Sequence, residues 1–227
     1  LEHLHDPVAA LDAQRSAVVS TDGLVYSEVP NGELMIGHTA LWDLIYEHVS
    51  YFTPASLTLA HARAGLSIDR MDAAFGEQFL WCESRPTDDG LVTEPDPDAA
   101  AAGVQAALDF GEAARAAIVD ARTSLAEYCE LGPVVLWGAG SKGMTYLNLV
   151  TDGARGSGEA SVAGVIDINP RKDGWGVPGT SLTITTPESL VDIRPATVLI
   201  ANPVYAGEIE RQLADLGVDA TVKALWG

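Results

Sequence analysis

From Pro133 to the C-terminus, short apolar runs alternate with longer amphipathic ones, and no other feature narrows the possible folds as much. The pattern predicts strands at 134–137, 162–167, 197–201 and 220–225, with helices at 141–150, 187–191 and 206–216 between them. Strands apolar throughout are buried on both faces, and helical crossovers between them build a parallel sheet covered on both sides. The first strand runs straight into Gly138-Ala139-Gly140-Ser141-Lys142-Gly143, which opens the first helix. This is the order of a dinucleotide-binding turn: one glycine for the bend, one for close approach of phosphate, one for helix–strand packing. The amides at the helix start favour an anion, and Asp167 stands near the place of a ribose-binding acid. Against a cofactor role, Asp167 lies 24 residues beyond Gly143 and Arg171-Lys172 follow it. Glycines also satisfy any tight strand-to-helix turn, so both readings stay open.

The first half reads differently. A helix is expected over 7–15, a buried strand over 24–29 closed by Pro30-Asn31-Gly32, and strands over 66–71 and 79–82. Thr53-Pro54 starts a helix with a hydroxyl cap and proline at its first position, and Gly65 stops it. Residues 84–98 are acidic and proline-rich and read as a linker; an alanine-rich helix follows over 99–130, weakened at Gly103 and Gly111. Two domains are expected, 1–90 and 91–227. The chain opens on Leu1-Glu2-His3-Leu4-His5-Asp6-Pro7 without an initiator Met, as a fragment would.

A net charge of −19 excludes nucleic acid and anionic membrane as main partners, and an anionic substrate then needs a local basic pocket. A 47% hydrophobic content with five Trp excludes wholesale disorder. The only cysteines, Cys82 and Cys129, form no CxxC pair, so no zinc cluster or other metal site is expected. No apolar run reaches the ~20 residues of a membrane span and no signal-peptide pattern is present; the cytoplasm is the expected compartment.

Residues 45–52 read IYEHVSYF. Glu47 and His48 sit together between Tyr46 and Tyr51, and an imidazole with an ordinary pKa of about 6.5 accepts a proton near neutrality. The same residues also fit a core stripe of Tyr46, Val49 and Phe52 at helical spacing. Both readings are kept.

Six stretches together resemble the nucleotide-sugar C-methyltransferases. LEHLHDP with GLVYSEVPN at 23–31 is similar to the later part of a class I methyltransferase domain, and YEHVSYFTPASL at 46–57 to a segment of that family. WGAGSKGMTYLN at 137–148, VIDINPRKDGWGVPGT at 165–180 and ANPVYAGEIERQL at 201–213 resemble its Rossmann-like C-terminal domain. The resemblance implies an α/β fold: the tail of a methyltransferase sheet followed by a second Rossmann-like parallel domain. It implies S-adenosylmethionine as methyl donor, with the glycine-rich donor loop and a cysteine zinc module upstream of Leu1, leaving Leu1 and His3 on one side of the donor. It implies a nucleotide-linked keto-deoxysugar as substrate, methylated at the carbon next to the ketone, with His48 as base. The family's second Rossmann-like domain is not a working dinucleotide site. Residues 75–82, FGEQFLWC, depart from the His-Gly-Gly segment of the better-known sugar enzymes.

For that chemistry Glu47 is expected to orient His48, and Tyr46 or Tyr51 to donate to the enolate oxygen. Arg85, Lys142, Arg171 with Lys172, and Asn202 are the candidates for the substrate's nucleotide diphosphate. Two rival classes remain: an NAD(P)-linked oxidoreductase built on the glycine turn, and a nucleotide-sensing module without catalysis.

Overall fold

The computed structural model describes residues 1–88, 91, 93–150 and 161–226, so part of the expected linker lies outside the described residues. The chain separates into two compact units, Leu1–Ala113 and Ala114–Gly227, and the division falls inside one long helix, Pro97–Leu131.

The first unit contains α1 (Pro7–Val18), β1 (Val25–Pro30), α2 (Gly32–His38), α3 (Pro54–Arg63), β2 (Leu66–Ala74) and β3 (Phe79–Pro86). Its helices begin where the side chains dictate. Asp6 accepts the Ala9 amide, and Thr53 and Ser56 close a reciprocal capping box with Pro54 at the first position. Asn31, read from sequence as part of a strand-ending turn, caps α2 by accepting the Glu33 and Leu34 amides. His38 therefore ends a helix. The three strands form an antiparallel sheet in the order β1-β3-β2, with Val25 opposite Ser84 and Leu66 opposite Pro86. The expectation of a fully buried first strand is corrected. Every second residue of β1 is buried, and Tyr26 and Glu28 bond to each other on the open face, as a one-sided antiparallel sheet requires. The same alternation carries β3 to Pro86, so residues 84–86 belong to the sheet and not to the linker. Leu11, Val29, Leu57, Leu66, Leu80 and Cys82 make the core.

The second unit contains β4 (Val134–Trp137), α5 (Ser141–Val150), β5 (Gly164–Ile166), β6 (Ile184–Thr185), α6 (Leu190–Ile193), β7 (Thr197–Ile200), α7 (Ala206–Asp215) and β8 (Thr221–Ala224), preceded by α4 (Pro97–Leu131). The five strands are parallel in the order β6-β5-β4-β7-β8. All four residues of β4 are buried, and they alternate between two cores. Val134 and Leu136 pack with Leu125, Tyr146, Leu147 and Leu199. Val135 and Trp137 pack with Ile166, Leu190, Val198 and Ile209. This is the two-sided burial that the uniformly apolar strands predict. Helix α4 passes through Gly103 and Gly111, at neither of which would a Cβ meet another atom. Among the described residues, no helix is long and apolar enough to cross a membrane.

Inside the first unit His61 is fully buried. Its Nδ1 donates to the Leu57 carbonyl at 2.9 Å, leaving Nε2 to accept from Ser27 Oγ at 3.2 Å, with Cys82 Sγ 3.5 Å away. Burial lowers its pKa, against the Leu57 hydrogen bond, which raises it. The unfolded chain, titrating near 6.5, then binds the proton more readily, so His61 removes stability as pH falls below about 6.5. Denaturation curves at pH 7.5 and pH 5.5 test this. His61→Gln starts less stable but loses less on acidification than the unchanged chain; equal losses would show that His61 does not titrate on unfolding.

Candidate functional site

The stretch between α2 and α3 is irregular. Thr39, in the left-handed region at φ 51°, ends α2, and a 3-10 turn follows at Leu41–Asp43. Residues 44–52 form no helix, so the core-stripe reading of Tyr46, Val49 and Phe52 is corrected. Tyr46 is 98% exposed and Val49 is exposed; only Phe52 is buried. The stretch is held by its backbone. Val49 and Ser50 both donate their amides to the Glu2 carbonyl, at 2.9 and 3.2 Å, and Gly32 donates to the Phe52 carbonyl at 2.8 Å.

This brings the N-terminal segment against His48. The His3 ring stands edge-on to it with centroids 4.9 Å apart, and Tyr51 does the same at 5.9 Å. His48 Nδ1 is buried with no hydrogen-bond partner, which leaves that nitrogen unengaged by the protein. Burial, with Asp43's charge adding to it, raises the Tyr51 pKa above its ordinary value, so the phenol keeps its proton and acts as a donor. Glu47 does not take the expected part. Its backbone carbonyl meets His3 Nδ1 at 3.2 Å, while the carboxylate near the two imidazoles is that of Glu2. Sequence adjacency does not report this, because residues 45–48 form a turn closed by the His48 amide on the Ile45 carbonyl.

Of the two residues expected beside the methyl donor, Leu1 packs against the core of its unit and His3 stands against His48.

In the second unit a cavity of about 340 Å³ opens at the carboxyl ends of β4 and β7. From these two strands the crossovers run in opposite directions, which is where ligands enter such sheets. Lys142 and Asn202 line it, together with Gly140, Asp167, Tyr205 and Glu208. Asp167 is fully engaged: Oδ2 accepts from Lys172 Nζ at 2.8 Å and from the Ala139 amide at 2.9 Å, and Oδ1 from the Asn169 amide at 2.9 Å. Burial raises its pKa, but the Lys172 ammonium and the two amides outweigh it and hold the carboxyl below its ordinary value. Both oxygens are thus tied to the turn and to its neighbouring loop. Lys172 is committed likewise, also donating to the Ala139 carbonyl at 3.0 Å. Arg171 is exposed in the 3-10 turn Pro170–Lys172. Arg85 donates to Asp69 Oδ2 at 3.1 Å and to the Asp22 carbonyl at 3.0 Å.

The three glycines of the turn differ. A Cβ on Gly143 would collide with the Gly138 carbonyl oxygen, and Gly138 itself has φ 115°. Both are demanded by the bend and by α5 packing on β4. Gly140 has open space where its Cβ would stand, on the cavity side.

A five-stranded parallel sheet with this turn and this cavity defines a Rossmann-like α/β domain. Residues 95–221 match the family described as the C-methyltransferase C-terminal domain, over half of the chain, and the chain belongs to that family. The match covers the glycine turn, the 165–180 loop and α7, and makes this a C-methyltransferase domain. No curated protein matches the chain.

The glycine analysis has a direct consequence. Gly143→Ala costs about 3 kcal/mol or more, because backbone and not a pliable side chain stands in the way, whereas Gly140→Ala stays within about 1 kcal/mol. Urea denaturation of the two variants measures the difference. Equal costs would mean that the helix does not depend on close contact at Gly143.

Proposed function

We propose that this chain is part of an S-adenosylmethionine-dependent enzyme that methylates a nucleotide-linked keto-deoxysugar at the carbon next to its ketone, in the cytoplasm, with His48 as the base. The observation that carries the reading is the family membership of residues 95–221, and the His48 surroundings support it. A carbon acid beside a ketone is weak, so the reaction needs a positioned base with a lone pair. His48 has a buried nitrogen bonded to nothing in the protein. Loss of the proton leaves negative charge on the ketone oxygen. Tyr51, kept protonated by its burial, is the donor for that oxygen, and such a hydrogen bond is strong where water is excluded. Tyr46, fully exposed, is not assigned this part.

S-adenosylmethionine supplies an electrophilic methyl group to the carbanion. Its main site is assigned upstream of Leu1, where the resemblance puts the donor loop, with Leu1 and His3 on one side of the donor. Lys142 and Asn202, which share the cavity of the second unit, and the exposed Arg171 are the remaining candidates for the nucleotide portion. Lys142 and Arg171 bring positive charge in a chain that otherwise repels anions, and Asn202 offers neutral hydrogen-bonding groups. Nucleic acid and membrane have no part in this reading. The engagement of Asp167 by Lys172 and Ala139 speaks against the dinucleotide-linked alternative.

The test separates proton removal from methyl transfer. In the intact enzyme, without methyl donor, the proton at the carbon next to the ketone exchanges with solvent deuterium, followed by NMR. His48→Asn slows this exchange roughly 10²–10⁴-fold, the usual contribution of a general base, and Tyr51→Phe slows it less. Exchange at the unchanged rate in His48→Asn sinks the assignment of the base.

A further inference from the structure

Three metal-ligating side chains from two distant stretches of sequence meet beside His48. Glu2, His3 and His48 each offer one donor atom, and the three atoms lie within 4.8 Å of one another. The backbone makes this a built arrangement: the Glu2 carbonyl holds the Val49 and Ser50 amides, and the Glu47 carbonyl holds His3. A carbonyl only accepts, so His3 Nδ1, 3.2 Å from the Glu47 oxygen, carries the ring proton. The lone pair then lies on Nε2, which faces Glu2 Oε1 at 3.5 Å. Two acceptors pointed at each other require a cation between them, either a proton or a metal ion. A carbonyl behind the outer nitrogen is also the usual way a ligating histidine is oriented.

The spacing favours a particular class of ion. Tetrahedral zinc, with bonds of about 2.1 Å, separates its ligand atoms by about 3.4 Å, close to the distance between Glu2 Oε1 and His3 Nε2. The ligand atom of His48 lies within 4.8 Å of both. Two imidazoles and one carboxylate select borderline transition ions over calcium or magnesium, which take oxygen. The His3 side chain is 56% exposed, which gives an ion access.

We propose that Glu2, His3 and His48 form a binding site for a divalent transition cation of the zinc type, with three protein ligands and an open fourth position. Occupation takes up a lone pair of His48, so the ion inhibits proton abstraction. That consequence, unlike the site itself, rests on the reading of His48 as the base.

The experiment is calorimetric titration of the chain with ZnCl₂ in a non-chelating buffer, repeated with CoCl₂ to read the visible absorption of tetrahedral cobalt. One site per chain is expected. Glu2→Gln and His3→Ala each weaken it by more than about tenfold, since loss of even an outer partner costs roughly 10–100-fold; His38→Ala leaves it unchanged. Neither Glu2→Gln nor His3→Ala removes a core contact, and an unchanged near-ultraviolet dichroism spectrum establishes the fold. No zinc binding, or unchanged affinity in both variants, overturns the proposal. In the intact enzyme, deuterium exchange that continues at full rate in chain saturated at this site would leave the metal site standing and overturn His48 as base.

Discussion

The missing side chain at Gly143 is the constraint on which the second unit depends. With only hydrogen there, α5 comes down onto the end of β4 against the Gly138 carbonyl. That approach sets the angle of the first crossover, and with it the opening between β4 and β7 where the cavity lies. The turn is then locked from outside by Asp167, whose carboxylate takes the Ala139 amide while Lys172 neutralises it. The lock gives the acidic residue after the glycine turn a structural part, holding the turn closed from the neighbouring loop.

The first unit is organised by a different device, a crossing of backbones. One carbonyl, that of Glu2, receives two successive amides of an irregular stretch, and that contact decides which side chains gather at His48. Because the stretch is not helical, Tyr46 and Tyr51, five positions apart, end in different surroundings, one in solvent and one against the imidazole. Two histidines, a tyrosine and a carboxylate thus come together from residues 2–3 and 48–51. Such a group suits proton transfer and metal ligation alike, and a ring nitrogen engaged in one is not available for the other.

Much of the fold was legible from periodicity. Strands β4, β5 and β7 follow from near-uniform apolarity and are buried throughout. Helices α5, α7 and the start of α3 follow from 3.6-residue spacing or a Thr-Pro cap. Strand β8, by contrast, runs Thr-Val-Lys-Ala with alternate residues exposed. Where the reading failed, a local signal had two meanings. Asn31 looked like part of a strand-ending turn and is also a helix cap. The short β1 looked buried throughout because Val and Tyr both favour strands, although only alternate residues face the core.

By itself the sequence determined the parallel α/β domain, its glycine turn and its kinship with C-methyltransferases, since these rest on local pattern and on motif order along the chain. Only the tertiary structure decided which carboxylate stands by His48, that Arg85 bonds to Asp69 and Asp22, and that Asp167 takes Lys172 and the Ala139 amide. The physical reason is the same in each case. A charged side chain takes whichever partner the folded backbone brings within about 3 Å, and sequence spacing through an irregular segment does not specify that partner.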